Sequence, residues 1–268
     1  MKIVNPSKHN ISKEKLQFMD ELFMDRYISS GKISGTQTLV ARNGEIVHCH
    51  SQGLRDIEQN LKMEDDSIFR IYSMTKPVTG VALMQLYEKG YFHLADPVSK
   101  FLPEFKNQSV YISGIYPAFD TRPVNREMTI RDLLTHTSGI GYDFIDGNSS
   151  LKSIYHKEKQ KFMKYGVLCF CDEDITIGET IQKLAKVPLH HNPGEKYTYG
   201  IGLDVLGYLI EIVSEKTLNQ YFYEEIFKPI EMYDTHFYLP ENKNDRLVPV
   251  LTKKDSNRPG TFLQVFMP

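Results

Sequence analysis

Apolar residues recur at helical spacing along several stretches of the chain. Leu16, Met19, Leu22, Phe23 and Tyr27 form one such stripe behind Ser12, a capping residue, and Gly31 stands where that helix would stop. Two short runs rich in β-formers follow, Thr36 to Arg42 and Glu45 to Ser51, on either side of Asn43-Gly44, a dipeptide suited to a tight hairpin turn. Two strands alone are marginal in water, so the hairpin requires further strands or a packed helix. Ile68 to Tyr72 reads as an extended segment running into Ser73. Beyond it Val78, Val81, Ala82, Leu83, Leu86 and Tyr87 predict a helix that is apolar nearly all round, hence buried, and ends near Gly90. Thr129 with Asp132, and Thr176 with Glu179, have the spacing of capping boxes. Leu203, Leu206, Ile210 and Val213 put a further helix over Gly202 to Thr217. Lys106 to Arg126, punctuated by Gly114, Pro117 and Pro123, reads as a long ordered loop. Lys152 to Lys164 reads as a solvated, charge-rich helix.

The 268 residues suffice for a core of their own, and 41 % hydrophobic with 25 % charged residues describes an ordinary globular chain. Lys+Arg 32 against Asp+Glu 34 leaves a net charge of -2, with no basic field to recruit nucleic acid or an anionic membrane. No apolar run approaches the roughly 18 to 20 residues of a membrane span, and none resembles a signal peptide, which predicts a cytoplasmic protein. Three cysteines, Cys49, Cys169 and Cys171, read as reduced structural thiols. His190-His191 lacks the spacing and carboxylate partners of a metal site, and no Gly-rich phosphate loop follows a strand. No metal or cofactor is expected.

A serine with a lysine three residues later puts hydroxyl and amine on one helix face, where the amine can take the hydroxyl proton. The spacing occurs four times, at Ser12/Lys15, Ser29/Lys32, Ser73/Lys76 and Ser149/Lys152. Context separates them. Gly31 breaks the second, the fourth lies in a polar stretch, and the first faces water. Ser73 and Lys76 stand between an apolar extended segment and an apolar helix, at a helix N-terminus that favours developing negative charge. Partial desolvation there is expected to lower the lysine pKa. The plainer reading makes Ser73 an N-cap and Lys76 a snorkelling side chain.

Phe69 to Pro77 (Phe-Arg-Ile-Tyr-Ser-Met-Thr-Lys-Pro) resembles the nucleophile segment of the serine β-lactamase-related family, in particular its class C-like branch of esterases, transesterases and D-amino-acid peptidases. Leu94 to Pro103, Met128 to Gly139 and Pro193 to Gly200 resemble three further segments in the same order, and together the matches extend over roughly Thr36 to Pro240. The resemblance implies an α+β, β-lactamase/transpeptidase-like fold, a helical region packed on an antiparallel sheet. It implies Ser73 as acylated nucleophile, Lys76 as its proton partner, and Tyr199 as the phenol or phenolate that shuttles the proton. Tyr197 competes for that last role, but the family's tyrosine stands six residues after the proline that Pro193 matches. His136 reads as a packing and turn residue.

Two departures qualify the resemblance. The tyrosine motif of true β-lactamases ends in asparagine, whereas this chain has Tyr199-Gly200-Ile201, which favours esterase-type chemistry over antibiotic hydrolysis. The family's third motif, a Lys-Thr-Gly or similar on a C-terminal strand, has no counterpart. Lys216-Thr217-Leu218 lacks the glycine, and Arg258-Pro259-Gly260 matches only loosely. The C-terminal strands of the sheet are therefore expected to be missing, with residues 1–240 as an incomplete domain and 241–268 as an irregular tail. Loss of one oxyanion donor costs about 10²- to 10³-fold in rate. The expected function is a serine hydrolase acting on a small-molecule ester or amide through a Ser73 acyl-enzyme. The alternative is an impaired relative that binds without turnover; a homo-oligomer or a second chain that completes the sheet is compatible with either.

Overall fold

The computed structural model describes residues 2–143, 149–157, 163–164, 167–168, 175–253 and 262–265. They belong to two compact units, one of Met1–Arg70 with Tyr238–Pro268, the other of Ile71–Phe237.

In the first unit Ser12 caps α1 (Lys13–Phe23), accepting the Lys15 N–H at 3.2 Å. A wider helical turn, Met24–Ile28, continues it towards Gly31. The predicted hairpin is present as β1 (Gly35–Arg42) and β2 (Glu45–Asp56), paired antiparallel. Asn43 and Gly44 take positive φ angles of 52° and 77°, the geometry their sequence signals. The hairpin gains both supports it needs: β3 (Leu61–Lys62) pairs with β2, and α1 is tied to β2 through Asp20. The Asp20 carboxylate lies 3.0 Å from His48 Nε2, and its carbonyl accepts from Gln52 Nε2.

The second unit opens with a single turn, Tyr72–Met74, followed by α2 (Thr75–Glu88). The expectation that α2 is buried all round is corrected. Thr79, Ala82, Leu83 and Leu86 are buried, but Val81 is 52 % exposed and lines a shallow apolar groove with Pro77, Gly80, Met84 and Leu134. Apolar composition alone does not fix which face a helix packs. The expected loop over 106–126 is also corrected: β4 (Ser109–Ile115) and β5 (Ala118–Pro123) form an antiparallel hairpin. Val110, Tyr111 and Ile112 supply strand formers, while Gly114 and Pro117 lie at its closing end instead of interrupting it.

Both predicted capping boxes are formed. Thr129 and Asp132 cap α3 (Ile130–Leu134). The helix α4 (Ser149–Lys157) is amphipathic where a solvated helix is expected, because Leu151, Ile154 and Tyr155 recur on one face and are buried. A two-residue pairing of β6 (Met163–Lys164) with β7 (Val167–Leu168) follows. Cys169 and Cys171 lie outside the described residues. Thr176 and Glu179 cap α5 (Ile177–Leu184). Next comes α6 (Gly202–Ser214), which packs against α2, α3, α5 and α7 (Leu218–Phe222) and supplies Val205, Leu206, Leu209 and Ile210 to the core. Leu83, Leu86, Ile130, Leu133, Ile181 and Phe222 meet them there.

Beyond 240, the segment expected to be irregular contains a turn, Glu241–Arg246, and an antiparallel pair, β8 (Val250–Lys253) with β9 (Phe262–Val265). Val250, Leu251, Phe262 and Val265 are strand formers that the intervening polar residues obscure. Arg258-Pro259-Gly260 falls outside the described residues. Among the described residues no helix is long and apolar enough to cross a membrane.

Asp132 joins cap and core. Only 5 % exposed, it accepts from Thr129 N–H and Oγ1 and is held by Arg126 through both guanidinium nitrogens, at 2.6 and 2.9 Å. Burial alone would raise its pKa, but these donors outweigh burial and hold the carboxyl below its ordinary range. Asp132→Ala should cost about 2 to 3 kcal/mol in urea unfolding at neutral pH. A depressed native pKa stabilises the fold above the unfolded value of about 4 and is lost as pH falls through the native pKa, so the difference between the two proteins should shrink below about pH 4.

Candidate active site

Ser73 lies in the single turn that leads into α2, and it does not serve as that helix's cap: the capping position falls on Met74, with no side-chain cap bond. The plainer reading of Ser73 as an N-cap is thereby removed, and its hydroxyl is free for other partners. The residue before it, Tyr72, has φ 45°, a left-handed conformation unusual for an aromatic residue. Lys76, the second residue of the helix, directs its Nζ to Ser73 Oγ at 3.3 Å. Tyr199 donates its hydroxyl to the same Oγ at 2.8 Å. The Lys76 ammonium also lies 4.9 Å from the centre of the Tyr199 ring. The three residues singled out from the sequence thus converge on one hydroxyl.

The segment before α6 holds Tyr199 in place through His136. The His136 carbonyl accepts the Thr198 N–H at 2.8 Å, its Nδ1 accepts the Gly200 N–H at 3.4 Å, and its ring stacks at a tilt on Tyr199 with centroids 4.9 Å apart. Accepting through Nδ1 requires the neutral ring. Burial and the nearby Lys76 charge both lower the His136 pKa, which keeps it so. His136 is the packing and turn residue its sequence context implies. His191 is buried, with Nδ1 2.8 Å from the Asn192 carbonyl and Nε2 2.9 Å from Thr198 Oγ1. The carbonyl can only accept, so Nδ1 carries a proton. Tyr197, the competitor, is 65 % exposed and meets only the edge of His136 among the described contacts.

Gly200 is required by close approach. A Cβ there would collide with the carbonyl oxygen of Ile140 and the backbone of Gly141. That approach delivers a residue missed in the sequence reading. Tyr142 Oη lies 3.5 Å from Lys76 Nζ, and its ring centre is 5.7 Å from that of Tyr199. The only local signal for it is the glycine-rich stretch Gly139-Ile140-Gly141 just before it. Ile201, at the position of the β-lactamase asparagine, is 1 % exposed and packs into the core, so no amide is presented there.

The two phenols titrate apart. For Tyr199, burial pushes upward but is outweighed by hydrogen bonds with Lys76 and Ser73 and by the Lys76 charge, so its pKa falls below 10. For Tyr142, burial dominates, the Asp204 charge adds to it, and the pKa is pushed up to about 12. One lysine thus serves a phenol that ionises readily and a second that stays protonated. The expectation of a lowered Lys76 pKa is corrected. Desolvation does pull it down, but the Tyr199 hydrogen bond and the charges of Tyr142, Asp204 and Tyr199 together raise it. Lys76 is a cation at neutral pH. No group of His, Cys, Asp or Glu among the described residues is arranged to hold a metal ion.

The chain is 32 % identical over 229 residues to Protein Rv1367c of Mycobacterium tuberculosis, a match that covers 85 % of this chain and 54 % of that protein. It is 30 % identical over 239 residues to Esterase EstB of Burkholderia gladioli, covering 89 % of this chain and 56 % of the esterase. The chain spans about half the length of these curated relatives. Among solved structures, EstCE1, a hydrolase with promiscuous acyltransferase activity, superposes with a TM-score of 0.75 at 25 % identity, covering 94 % of this chain and 60 % of that one. The similarity to EstCE1 places the α+β architecture in the β-lactamase/transpeptidase-like fold. The Beta-lactamase family model matches residues 17–265. With nearly its whole length so matched, and with a serine, a lysine and a tyrosine gathered at one point, this chain belongs to the Beta-lactamase family.

Proposed function

We propose that the chain is the catalytic part of an esterase-like serine hydrolase that works through an acyl-enzyme on Ser73. The observation that carries this reading is the 2.8 Å contact of Tyr199 Oη with Ser73 Oγ beside a Lys76 that remains cationic. In the reactive form Tyr199 is a phenolate paired with the Lys76 ammonium. It takes the Ser73 proton as Oγ forms a bond to the substrate carbonyl carbon. The carbonyl π electrons move to oxygen, beside the N-terminal end of α2. Collapse of the tetrahedral intermediate expels the alkoxide, which takes the proton back from Tyr199 and leaves as the alcohol. Water, or an acceptor alcohol, then attacks the acyl-Ser73 by the same route in reverse.

The ester preference is supported by the buried Ile201 and by the esterase and acyltransferase character stated for EstB and EstCE1. Lys76 is the charge that lets Tyr199 ionise, not the base itself.

Treatment with a fluorophosphonate should add one adduct to the wild-type chain by intact mass and none to Ser73→Ala. No adduct on either would replace hydrolysis with binding without turnover. Tyr199→Phe should slow hydrolysis of a p-nitrophenyl ester by about 10²- to 10⁴-fold. Lys76→Met should remove the hydrogen bond and charge that lower Tyr199, leaving burial to act, so the Tyr199 pKa should rise to or above 10 in a ¹³C-tyrosine NMR titration. A Tyr199 pKa unchanged by that substitution would show that Lys76 does not set its basicity.

A further inference from the structure

We propose that Asp143 and His156 are positioning residues for the Ser73 site: their hydrogen bond latches the stretch 139–143 to α4 and so holds the Tyr142 hydroxyl against Lys76. The inference deepens the hydrolase reading and rests on it for its catalytic meaning. Three consecutive residues carry it. Gly141 donates its N–H to Tyr155 Oη at 3.2 Å, Tyr142 Oη lies 3.5 Å from Lys76 Nζ, and Asp143 Oδ2 lies 2.7 Å from His156 Nε2. Tyr142 thus stands between two bonds to the same helix, each made by one of its immediate neighbours.

The latch has a firm base. Leu151, Ile154 and Tyr155 bury α4 in the core, and Ser153 Oγ accepts the N–H of Tyr116, in the turn of the β4–β5 hairpin, at 3.1 Å. The other side of the stretch is fitted closely. The Gly139 carbonyl accepts the His190 N–H at 2.8 Å, a Cβ at Gly141 would stand 2.6 Å from His190 Nε2, and Ile140 and Gly141 meet Gly200 of the Tyr199 segment. The end at Asp143 is held by its side chain. That side chain is 4 % exposed, and its Oδ1 has no hydrogen-bond partner among the described residues, so the carboxyl rests on the bond from Oδ2 to His156. A buried acid with one such bond adds little to stability, and an apolar residue of similar size would fill the place at lower cost. What the pair supplies is direction: Asp143 is turned to α4 while the side chain before it is turned to Lys76.

The direction matters at Lys76. Its Nζ, at the end of a flexible stem, donates to Ser73 Oγ at 3.3 Å and to Tyr142 Oη at 3.5 Å. Two acceptors on different segments define its place better than one. Without the latch the Tyr142 end of the stretch is no longer drawn to α4, and Nζ loses a fixed second acceptor beside the Tyr199 ring. A displacement of about 1 Å in such a group costs up to about 10²-fold in rate. A merely structural pair would weaken the fold and would act whether or not residue 142 carries a hydroxyl.

The test is a double-mutant cycle on the rate of fluorophosphonate labelling at Ser73, in the wild type, Asp143→Ala, Tyr142→Phe and the double variant. Asp143→Ala should slow labelling about 10-fold when Tyr142 is present, and less than about 2-fold once Tyr142→Phe has removed the hydroxyl. Equal losses in the two backgrounds would overturn the proposal, as would a rate unchanged by Asp143→Ala. Where Asp143→Ala fails to fold, His156→Ala breaks the same bond from its partly exposed side and takes its place in the cycle. The second readout is ¹³C-tyrosine NMR, with Tyr142 assigned by Tyr142→Phe: its resonance should move in Asp143→Ala and in His156→Ala, and an unmoved resonance would overturn the latch. This readout needs no turnover. A moved resonance in a protein whose wild type takes no Ser73 adduct would therefore remove the hydrolase reading and keep the positioning of Tyr142, and an adduct with an unmoved resonance would do the reverse.

Discussion

The Lys76 ammonium organises the second unit's polar centre. A single cation faces a hydroxyl and two phenols, and each of the three depends on it differently. Taking such a charge out of bulk water is expensive, and the expense is met by packing the partners at close range inside a largely apolar unit. Backbone architecture and one imidazole position those partners. The left-handed Tyr72 turns the chain before Ser73, His136 holds the residues flanking Tyr199 through its carbonyl and its ring nitrogen, and the absence of a side chain at Gly200 lets that segment touch the stretch bearing Tyr142.

The same cation resolves an apparent redundancy. Two tyrosines beside one lysine would compete if their surroundings were alike. They are not: Tyr199 has the hydrogen bonds to Ser73 and Lys76 that stabilise its anion, while Tyr142 is more deeply buried and closer in effect to a negative charge. Surroundings, rather than residue type, decide which phenol loses its proton more readily.

What the sequence discloses follows the range of the interactions concerned. The Ser12 cap, the boxes at Thr129/Asp132 and Thr176/Glu179 and the Asn43-Gly44 turn are all decided within a few residues, and each is read correctly. The hairpin of β4 and β5 is misread because its Gly114 and Pro117 are strong local punctuators, while the pairing that overrides them is visible only in three dimensions. For α2, hydrophobic content is legible but the choice of packed face is not. At the site, Ser73, Lys76 and Tyr199 follow from ordered motifs. Tyr142 joins through packing between segments far apart in the chain. The raised Lys76 pKa needs all of these groups together, so desolvation alone predicts the wrong sign.

The left-handed backbone at Tyr72 sets an order in which the molecule loses its properties. A bulky residue with φ 45° is held against its own preference, at a local cost of about 1 to 3 kcal/mol, by the packing of the turn it opens. When that packing slackens, through mild heat or denaturant, this residue gains by relaxing to an ordinary conformation. Ser73, its immediate neighbour, would swing out of line with Tyr199 while the core around α6 remains intact. In the proposed hydrolase, inactivation would then precede the melting of the helices that surround the Ser73 turn.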